Sequence, residues 1–176
     1  MSTSFNRRRF LALTTAAAAG ATIFDVPGIL AADDPYRGLP IGVQSFSLRN
    51  YNVVDAVRHI QGMGLHFVEF YSKHLNPNAT AAQLAENRQL LERAKVTLSA
   101  HGVNRFSKDH EANRKVFEFA KRAGIRNITA NPTPDSFDSL DKLVAEYNIR
   151  IAIHNHGPGA LYDSIDSVKK AVAGHH

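Results

Sequence analysis

The stretch VFEFAKRAGIRNITANP, residues 116–132, contains one copy of the helix-then-strand pattern that decides the fold. Its first part places apolar residues three and four positions apart, which predicts a helix with one buried face. Gly124 directly follows Arg122 and Ala123, where a glycine can end a helix in a left-handed conformation. The β-rich run at residues 127–130 then predicts a strand. The stretch therefore indicates a helix that packs on a sheet and leads into the next strand.

The same unit recurs along the chain. Similar β-rich runs occupy residues 41–46, 67–71, 96–100 and 149–153, so that successive runs start 26, 29, 31 and 22 residues apart. Each spacing is the length of one strand, one helix and two loops, which predicts an α/β fold with a parallel sheet. Two architectures share this pattern: a partial (β/α)8 TIM barrel with about five βα units, and a complete five-stranded flavodoxin-like sheet. Only the order of the strands separates them.

Two helix starts carry a recognisable capping pattern. Asn52 precedes Asp55 by three residues, and Thr80 precedes Gln83 by the same interval. Such a pair satisfies free amide groups in the first turn of a helix. Each pair therefore predicts the start of a helix.

Composition limits the classes of function. Hydrophobic residues make up 44% and charged residues 21% of the chain, which are ordinary globular values. The chain contains no cysteine, which excludes a disulfide, a thiol nucleophile and a thiolate zinc site. Residues 1–32 hold three of the 21 basic residues and one of the 16 acidic ones, so the formal charge of +5 falls to +3 without them. No basic stripe with interleaved aromatic residues remains, so nucleic acid is not an expected partner.

The N-terminus resembles an export signal. Arg7 and Arg8 are followed, after one intervening residue, by Phe10 and Leu11, as in a twin-arginine signal. A sequence rich in Ala and Thr comes next. The apolar run is too short and too weakly apolar for a stable membrane anchor. We therefore expect residues 1–32 to be an export signal peptide and residues 33–176 to be one domain, located in the periplasm or outside the cell.

Polar residues follow every predicted strand. In a parallel sheet these strand ends lie at one edge, so residues far apart in sequence converge there. The convergence predicts a functional site made of Gln44 and Ser45, Glu69 and Tyr71, His101, Asn131, and the run His154, Asn155 and His156.

Histidine and carboxylate side chains within this set are potential metal ligands. Glu69, His101, His154 and His156 together would suit zinc, manganese, iron or nickel, although no local ligand motif supports this set. His154 and His156 alternate along an extended strand, so we expect only one of them to face the site. The remaining histidines of the folded region are predicted to be surface residues: His59, His66, His74 and His110.

Several segments together resemble a known family, the sugar phosphate isomerase/epimerase proteins, which have a xylose-isomerase-like TIM barrel. The resemblance covers residues 40–176 and makes residues 33–176 a partial barrel domain of that type. The sequence lacks the glycine motifs of nucleotide-binding folds and of α/β-hydrolases. The segments that carry the resemblance are IGVQS at 41–45, GLHFVE at 64–69, SAHG at 99–102, FEFAKRAG at 117–124 and IAIHNHGP at 151–158.

The resemblance implies a metal-dependent isomerase or epimerase. Its substrate would be a small carbohydrate, a sugar or a polyol, and its cofactor a divalent ion such as Mn²⁺, Zn²⁺, Mg²⁺ or Co²⁺. His154 stands where the family has a metal-binding, proton-transferring Glu, so one carboxylate of the usual acid/base pair is missing. The resemblance makes His154 the metal ligand and, with Glu69, a catalytic candidate; the substrate-binding candidates are Gln44, His101, Asn131, Asn155 and His156.

The sequence departs from the family in length. A whole barrel has about 250 residues, whereas 136 follow residue 40. The family's later ligand segments have no counterpart. We therefore expect a truncated chain that is inactive alone and self-associates through its open strand edges. A non-catalytic carbohydrate-binding or structural protein is the alternative, and an endonuclease of the same superfamily is disfavoured by the export signal and the missing basic stripe.

Replacing Arg7 and Arg8 by Lys tests the export signal. The twin-arginine route is read by a receptor, so we expect the variant precursor to remain in the cytoplasm. Immunoblots of cell fractions from wild type and variant measure this. Unchanged export of the variant would contradict the twin-arginine assignment.

Overall fold

The structure, a computed structural model, describes residues 35–175. In this part of the chain strands and helices alternate. The strands are β1 Gly42–Gln44, β2 Phe67–Phe70, β3 Thr97–Phe106, β4 Asn127–Pro132 and β5 Arg150–Ile153. The helices are α1 Val53–Gly62, α2 Ala81–Ala94, α3 His110–Ala123, α4 Phe137–Tyr147 and α5 Ile165–Val172. Short 3-10 turns occupy Ser45–Leu48 and Pro134–Ser136.

The strands form one sheet in the order β1-β2-β3-β4-β5, and every neighbouring pair is parallel. Each strand thus lies beside its predecessor, as in a (β/α)8 barrel. In a flavodoxin-like sheet the first strand would lie between the second and the third. The predicted partial barrel is confirmed, and the flavodoxin-like alternative is wrong.

All five predicted strands are present, but β3 is longer than expected. The β-rich run ends at Ala100, whereas β3 continues to Phe106. The extension pairs with β4 as far as Phe106 opposite Pro132, after a register shift between His101 and Asn104. Pairing with β4, rather than local sequence, therefore sets the length of β3.

The helix ends follow the predicted caps. The Asn52 side chain accepts a hydrogen bond of 2.9 Å from the Asp55 amide. Thr80 and Gln83 form a full capping box, in which each side chain accepts from the other's backbone amide. Gly124 ends α3 with a φ of 74°, in the left-handed region that favours glycine.

Burial alternates along the strands and separates the two faces of the sheet. The Phe106 ring contacts that of Phe117 on α3, with 5.9 Å between centroids, so this face packs on the helices. We call it the helix face and its opposite the inner face. The helix-face core consists of Val68, Phe70, Ile128 and Ala130 from the strands and Ala56, Ile60, Phe117, Phe119, Ala120 and Leu143 from the helices.

His74 is a core residue, so its prediction as a surface residue is wrong. Its side chain is only 3% exposed. The turn after β2, closed by a 3.0 Å bond from the His74 amide to the Tyr71 carbonyl, folds the ring against Phe70 and Tyr71. The ring Nε2 donates to the Tyr51 carbonyl at 3.1 Å. His59, in contrast, is exposed as predicted.

Between residues 35 and 175, no helix combines the length and the hydrophobicity needed to cross a bilayer. The predicted export signal at residues 1–32 lies outside the described residues.

Acid should destabilise the fold through its buried histidines. Burial lowers the pKa of His101 and of His74 from the usual 6.5. The unfolded chain therefore binds protons at a pH where these folded histidines remain neutral, so the free energy of unfolding falls as the pH drops below about 6.5. Urea denaturation from pH 8 to pH 5 measures this decrease.

We expect the free energy of unfolding to fall less steeply with decreasing pH in His101→Gln than in the wild type, because one of the two histidines no longer binds a proton on unfolding. The control His59→Gln changes an exposed histidine and should retain the wild-type slope. A His74→Gln/His101→Gln double variant with the wild-type slope would contradict this origin of the pH dependence.

Candidate functional site

Side chains from three strands meet at Glu69 on the inner face. Glu69 and Gln44 are register partners in β2 and β1, and the Gln44 amide Nε2 donates to Glu69 Oε1 at 2.8 Å. The Thr129 hydroxyl, from β4, donates to the same oxygen. The convergence of Gln44 and Glu69 follows from parallel pairing, whereas Thr129 reaches Glu69 across the intervening strand β3.

Gly102, in β3, leaves space for the Thr129 side chain to extend to Glu69. A Cβ atom built on Gly102 would lie 1.9 Å from Thr129 Oγ1 and 2.5 Å from the Thr129 carbonyl oxygen. Any side chain at this position would therefore displace Thr129. The sequence analysis missed both residues, although a glycine inside a strand signals a close approach of another chain segment.

The two hydrogen bonds leave one oxygen of Glu69 available. Both go to Oε1, and no residue between 35 and 175 donates a hydrogen bond to Oε2. Glu69 is half-buried, so its orientation is constrained while one edge stays accessible. A carboxylate held in this way can accept a hydrogen bond or a proton at Oε2.

His101 lies on the helix face, as does its register partner Phe70. Its ring is 2% exposed and packs edge-on against Phe119, with 4.9 Å between centroids. Nε2 donates to the Leu75 carbonyl at 3.0 Å, and Nδ1 accepts from the Asn104 amide at 3.2 Å. Both nitrogens of a neutral imidazole are thus satisfied, and burial lowers the pKa of His101, which favours that neutral form. The structure does not bring His101 to the inner face.

The segment after β5 places two imidazole rings side by side. The His154 amide donates to the Ala130 carbonyl at 2.8 Å, which continues the pairing with β4 by one residue. The His154 and His156 rings contact each other at 4.7 Å between centroids. The alternation of a strand does not apply to these two residues, because β5 ends at Ile153, before both of them. That only one of them faces the site stays a prediction. Asn155 between them is exposed.

This segment is anchored to β4. The Tyr162 hydroxyl donates to the Pro132 carbonyl at 2.7 Å, and the His156 amide donates to the Tyr162 carbonyl at 2.8 Å. Tyr162 is 3% exposed, and burial raises the pKa of its hydroxyl. Both ends of the short loop 157–161 are therefore held at the carboxyl end of β4.

Aromatic residues lie at the same edge of the sheet. The Phe46 and Tyr71 rings, just beyond β1 and β2, contact edge to face at 5.5 Å between centroids. The Ser45 hydroxyl is buried and accepts from the Tyr71 amide at 3.1 Å, which joins the two strand ends. Ser45 is thus a structural residue, while Phe46 remains 49% exposed.

Asn131 lies near a cavity at the ends of β3 and β4. It is half-buried and pairs in register with Arg105. Both residues line a cavity of about 400 Å³, together with Ser107, Asn113, Thr133 and Leu161. Sequence analysis found Asn131 from its position at a strand end and missed Arg105, because β3 was expected to end before it.

The residues that could hold a metal ion do not gather in one place. Between residues 35 and 175, no three His, Asp or Glu side chains lie close enough together to bind one. His101 is on the helix face, and Glu69 is the one carboxylate in the predicted ligand set. The described residues therefore do not fit a complete metal site.

Comparison with known proteins identifies the fold. No protein-family model matches the sequence, and no curated protein is significantly similar to it. Among solved structures, an uncharacterized protein from Parabacteroides distasonis is similar, with 24% identity and a TM-score of 0.67 over 77% of this chain and 58% of that one.

Two further structures have descriptive names. A xylose isomerase domain containing protein from Salmonella typhimurium is 12% identical, with a TM-score of 0.61 over 76% of this chain and 56% of that one. D-psicose 3-epimerase from Clostridium cellulolyticum, solved with D-tagatose, is 11% identical, with a TM-score of 0.53 over 74% and 59%. These similarities show a xylose isomerase-like TIM barrel fold. This chain spans less than two thirds of each of those proteins.

Gly102→Ala tests the close approach of β3 and β4. The added methyl group would clash with Thr129, so we expect the free energy of unfolding to fall by about 1–3 kcal/mol. Urea denaturation measures the change. Gly62→Ala is a matched control, because a Cβ there meets nothing within 4 Å.

A second substitution locates the clash. In a Gly102→Ala/Thr129→Ala double variant, the methyl group no longer meets the Thr129 hydroxyl, so part of the lost stability should return. Wild-type stability of Gly102→Ala alone would show that the strands lie further apart than described.

Proposed function

We propose that the inner face at the carboxyl edge of this sheet is part of a sugar isomerase or epimerase site. The reaction is aldose–ketose isomerisation or epimerisation of a sugar or polyol by proton transfer. The observation that carries the proposal is Glu69, a carboxylate fixed at Oε1 by Gln44 and Thr129 and available at Oε2. The xylose isomerase-like fold and its similarity to D-psicose 3-epimerase support the substrate class.

Glu69 acts as the general base in this proposal. Oε2 removes the proton from the carbon next to the sugar carbonyl: the C–H bond breaks, an O–H bond forms on Oε2, and the electron pair moves onto the carbonyl oxygen to give an enediol-type intermediate. Return of the proton to the former carbonyl carbon, with transfer of the hydroxyl proton on the deprotonated carbon to the former carbonyl oxygen, completes an isomerisation. Return to the opposite face of the deprotonated carbon completes an epimerisation and requires a second group, for which His154 is the candidate.

Gln44 and Thr129 are positioning residues. Their hydrogen bonds to Oε1 fix the plane of the carboxylate and direct Oε2 away from them. A base held in the correct orientation loses less freedom on reaching the transition state. Thr129 therefore contributes through Glu69 and not by contact with the sugar.

Other residues would bind the substrate. Asn131, Asn155 and His156 can exchange hydrogen bonds with sugar hydroxyl groups, and exposed Phe46 offers an apolar surface to the C–H face of a sugar ring. His101, on the helix face, would instead support β3 from behind.

A divalent metal, as the family resemblance implies, would polarise the sugar carbonyl when bound. The described residues do not make up its ligand set. The steps above therefore use only groups of this chain.

Carbohydrate binding without catalysis is the second candidate function. It is favoured by the single carboxylate of the predicted ligand set and by the histidine in place of a second one. Export through residues 1–32 and self-association through strand edges also remain proposals.

Deuterium exchange tests the role of Glu69. The truncated chain is expected not to complete turnover alone, so the test measures only the first step: in D₂O we expect the chain to exchange the proton next to the carbonyl of a ketohexose such as D-fructose. Glu69→Gln should slow the exchange about 100-fold or more, because a general base contributes about 10²–10⁴ in rate. Proton NMR of the sugar measures the rate.

Glu118→Gln is the matched control, because Glu118 is exposed on α3 and should leave exchange unchanged. Equal exchange by Glu69→Gln and wild type would contradict the proposal. Sugar binding without any exchange by wild type would favour the non-catalytic candidate.

A further inference from the structure

A second cavity lies on the helix face of the sheet, between α2 and the strands β2 and β3. Its volume is about 150 Å³. The exposed side chains of Arg88 and Glu92 on α2 line it, so it opens to solvent there, and Ala123 at the end of α3 lines it as well. The rest of the lining is apolar and consists of Phe70, Leu75, Leu84, Leu91, Val96 and Leu98.

One buried acceptor interrupts this apolar lining. Asn87 lies three residues after Leu84 and four before Leu91, so it shares the apolar stripe of α2 with these two buried leucines. Its Nδ2 donates to the Gln83 carbonyl at 3.0 Å. Its Oδ1 is buried and has no hydrogen-bond partner within residues 35–175. The cavity therefore combines an apolar wall with one unsatisfied acceptor.

This acceptor is unfavourable for a position that only packs a helix on a sheet. On folding, Oδ1 of Asn87 loses its hydrogen bonds to water and gains none from the protein, which destabilises the folded chain. A leucine at the same position would continue the apolar stripe without this penalty. A ligand that donates one hydrogen bond to Oδ1 would remove the penalty and fill the cavity.

We infer that this cavity binds a small, neutral ring molecule that carries one hydroxyl group, such as a phenol. A cavity of about 150 Å³ with a similar apolar lining is large enough for one benzene ring. A charged ligand is disfavoured, because the apolar wall would not replace its hydration. The hydroxyl group donates to Oδ1 of Asn87, and the ring packs against the apolar wall.

This site is separate from the proposed sugar site. Phe70 belongs to its wall and lies on the helix face, whereas Glu69 lies on the inner face. The inference therefore does not depend on the proposed function, and its test requires no turnover.

NMR titration of the ¹⁵N-labelled full chain with phenol and with toluene tests this inference. The two probes have nearly the same shape, but only phenol can donate a hydrogen bond. We expect phenol to shift the amide signals of Leu84, Leu91 and Val96. We also expect the ratio of the toluene Kd to the phenol Kd to be about tenfold higher in wild type than in Asn87→Ala, because the variant has no acceptor for the hydroxyl group.

Two further variants assign the effect to the cavity. Ala123→Leu enlarges a side chain of the lining and should prevent binding of both probes. Gln89→Ala changes an exposed amide on the same helix as Asn87 and should keep both wild-type affinities. Circular dichroism melts confirm that the variants fold.

Three results would overturn the inference. The first is a wild type that does not bind phenol, as expected for a cavity that holds only water. The second is an Asn87→Ala variant that keeps the wild-type ratio or loses both probes equally. The third is a folded Ala123→Leu variant that binds phenol as tightly as the wild type does.

Discussion

Parallel pairing between consecutive strands is the constraint on which the other features of this molecule depend. It directs all five carboxyl ends to one edge, and the pleat then assigns each residue to the helix face or the inner face. Phe70 and Glu69 are neighbours in sequence, yet one belongs to the dry core and the other to the polar inner face. The same alternation places the buried His101 on the opposite face of the sheet from Glu69. A residue's chemistry is therefore decided by which side of the sheet its strand position gives it.

The polar inner face also requires two strands to approach closely. Thr129 reaches Glu69 only because Gly102, in the strand between them, has no side chain to fill the intervening space. A glycine in a strand weakens the strand, so this position exchanges some local stability for the orientation of a carboxylate. This loss of strand stability at Gly102 is consistent with a functional role for the Glu69 carboxylate, because an ordinary surface glutamate needs no such support.

Local signals made much of the fold predictable, and long-range contacts account for what was missed. The caps at Asn52 and Thr80 and the left-handed Gly124 are encoded within a few residues, so they could be read from the sequence. The site was predictable only in outline: Gln44 and Glu69 converge as adjacent strand ends must. Thr129 could not be found, because its contact depends on the register of three strands. The face of His101 was equally hidden, since a register shift between Val68 and Glu69 intervenes.

The loop 157–161 illustrates how such a scaffold can be modified. Its two ends are held by residues outside the loop. The His156 amide donates to the Tyr162 carbonyl, and the Tyr162 hydroxyl donates to the Pro132 carbonyl on β4. Lengthening a loop whose ends are already fixed carries a small entropic penalty, which grows only with the logarithm of its length. Insertions and random sequence between Gly157 and Leu161 can therefore vary the wall of the neighbouring cavity while the sheet stays intact. This loop is therefore the natural place to build a sequence library when that wall is to be changed.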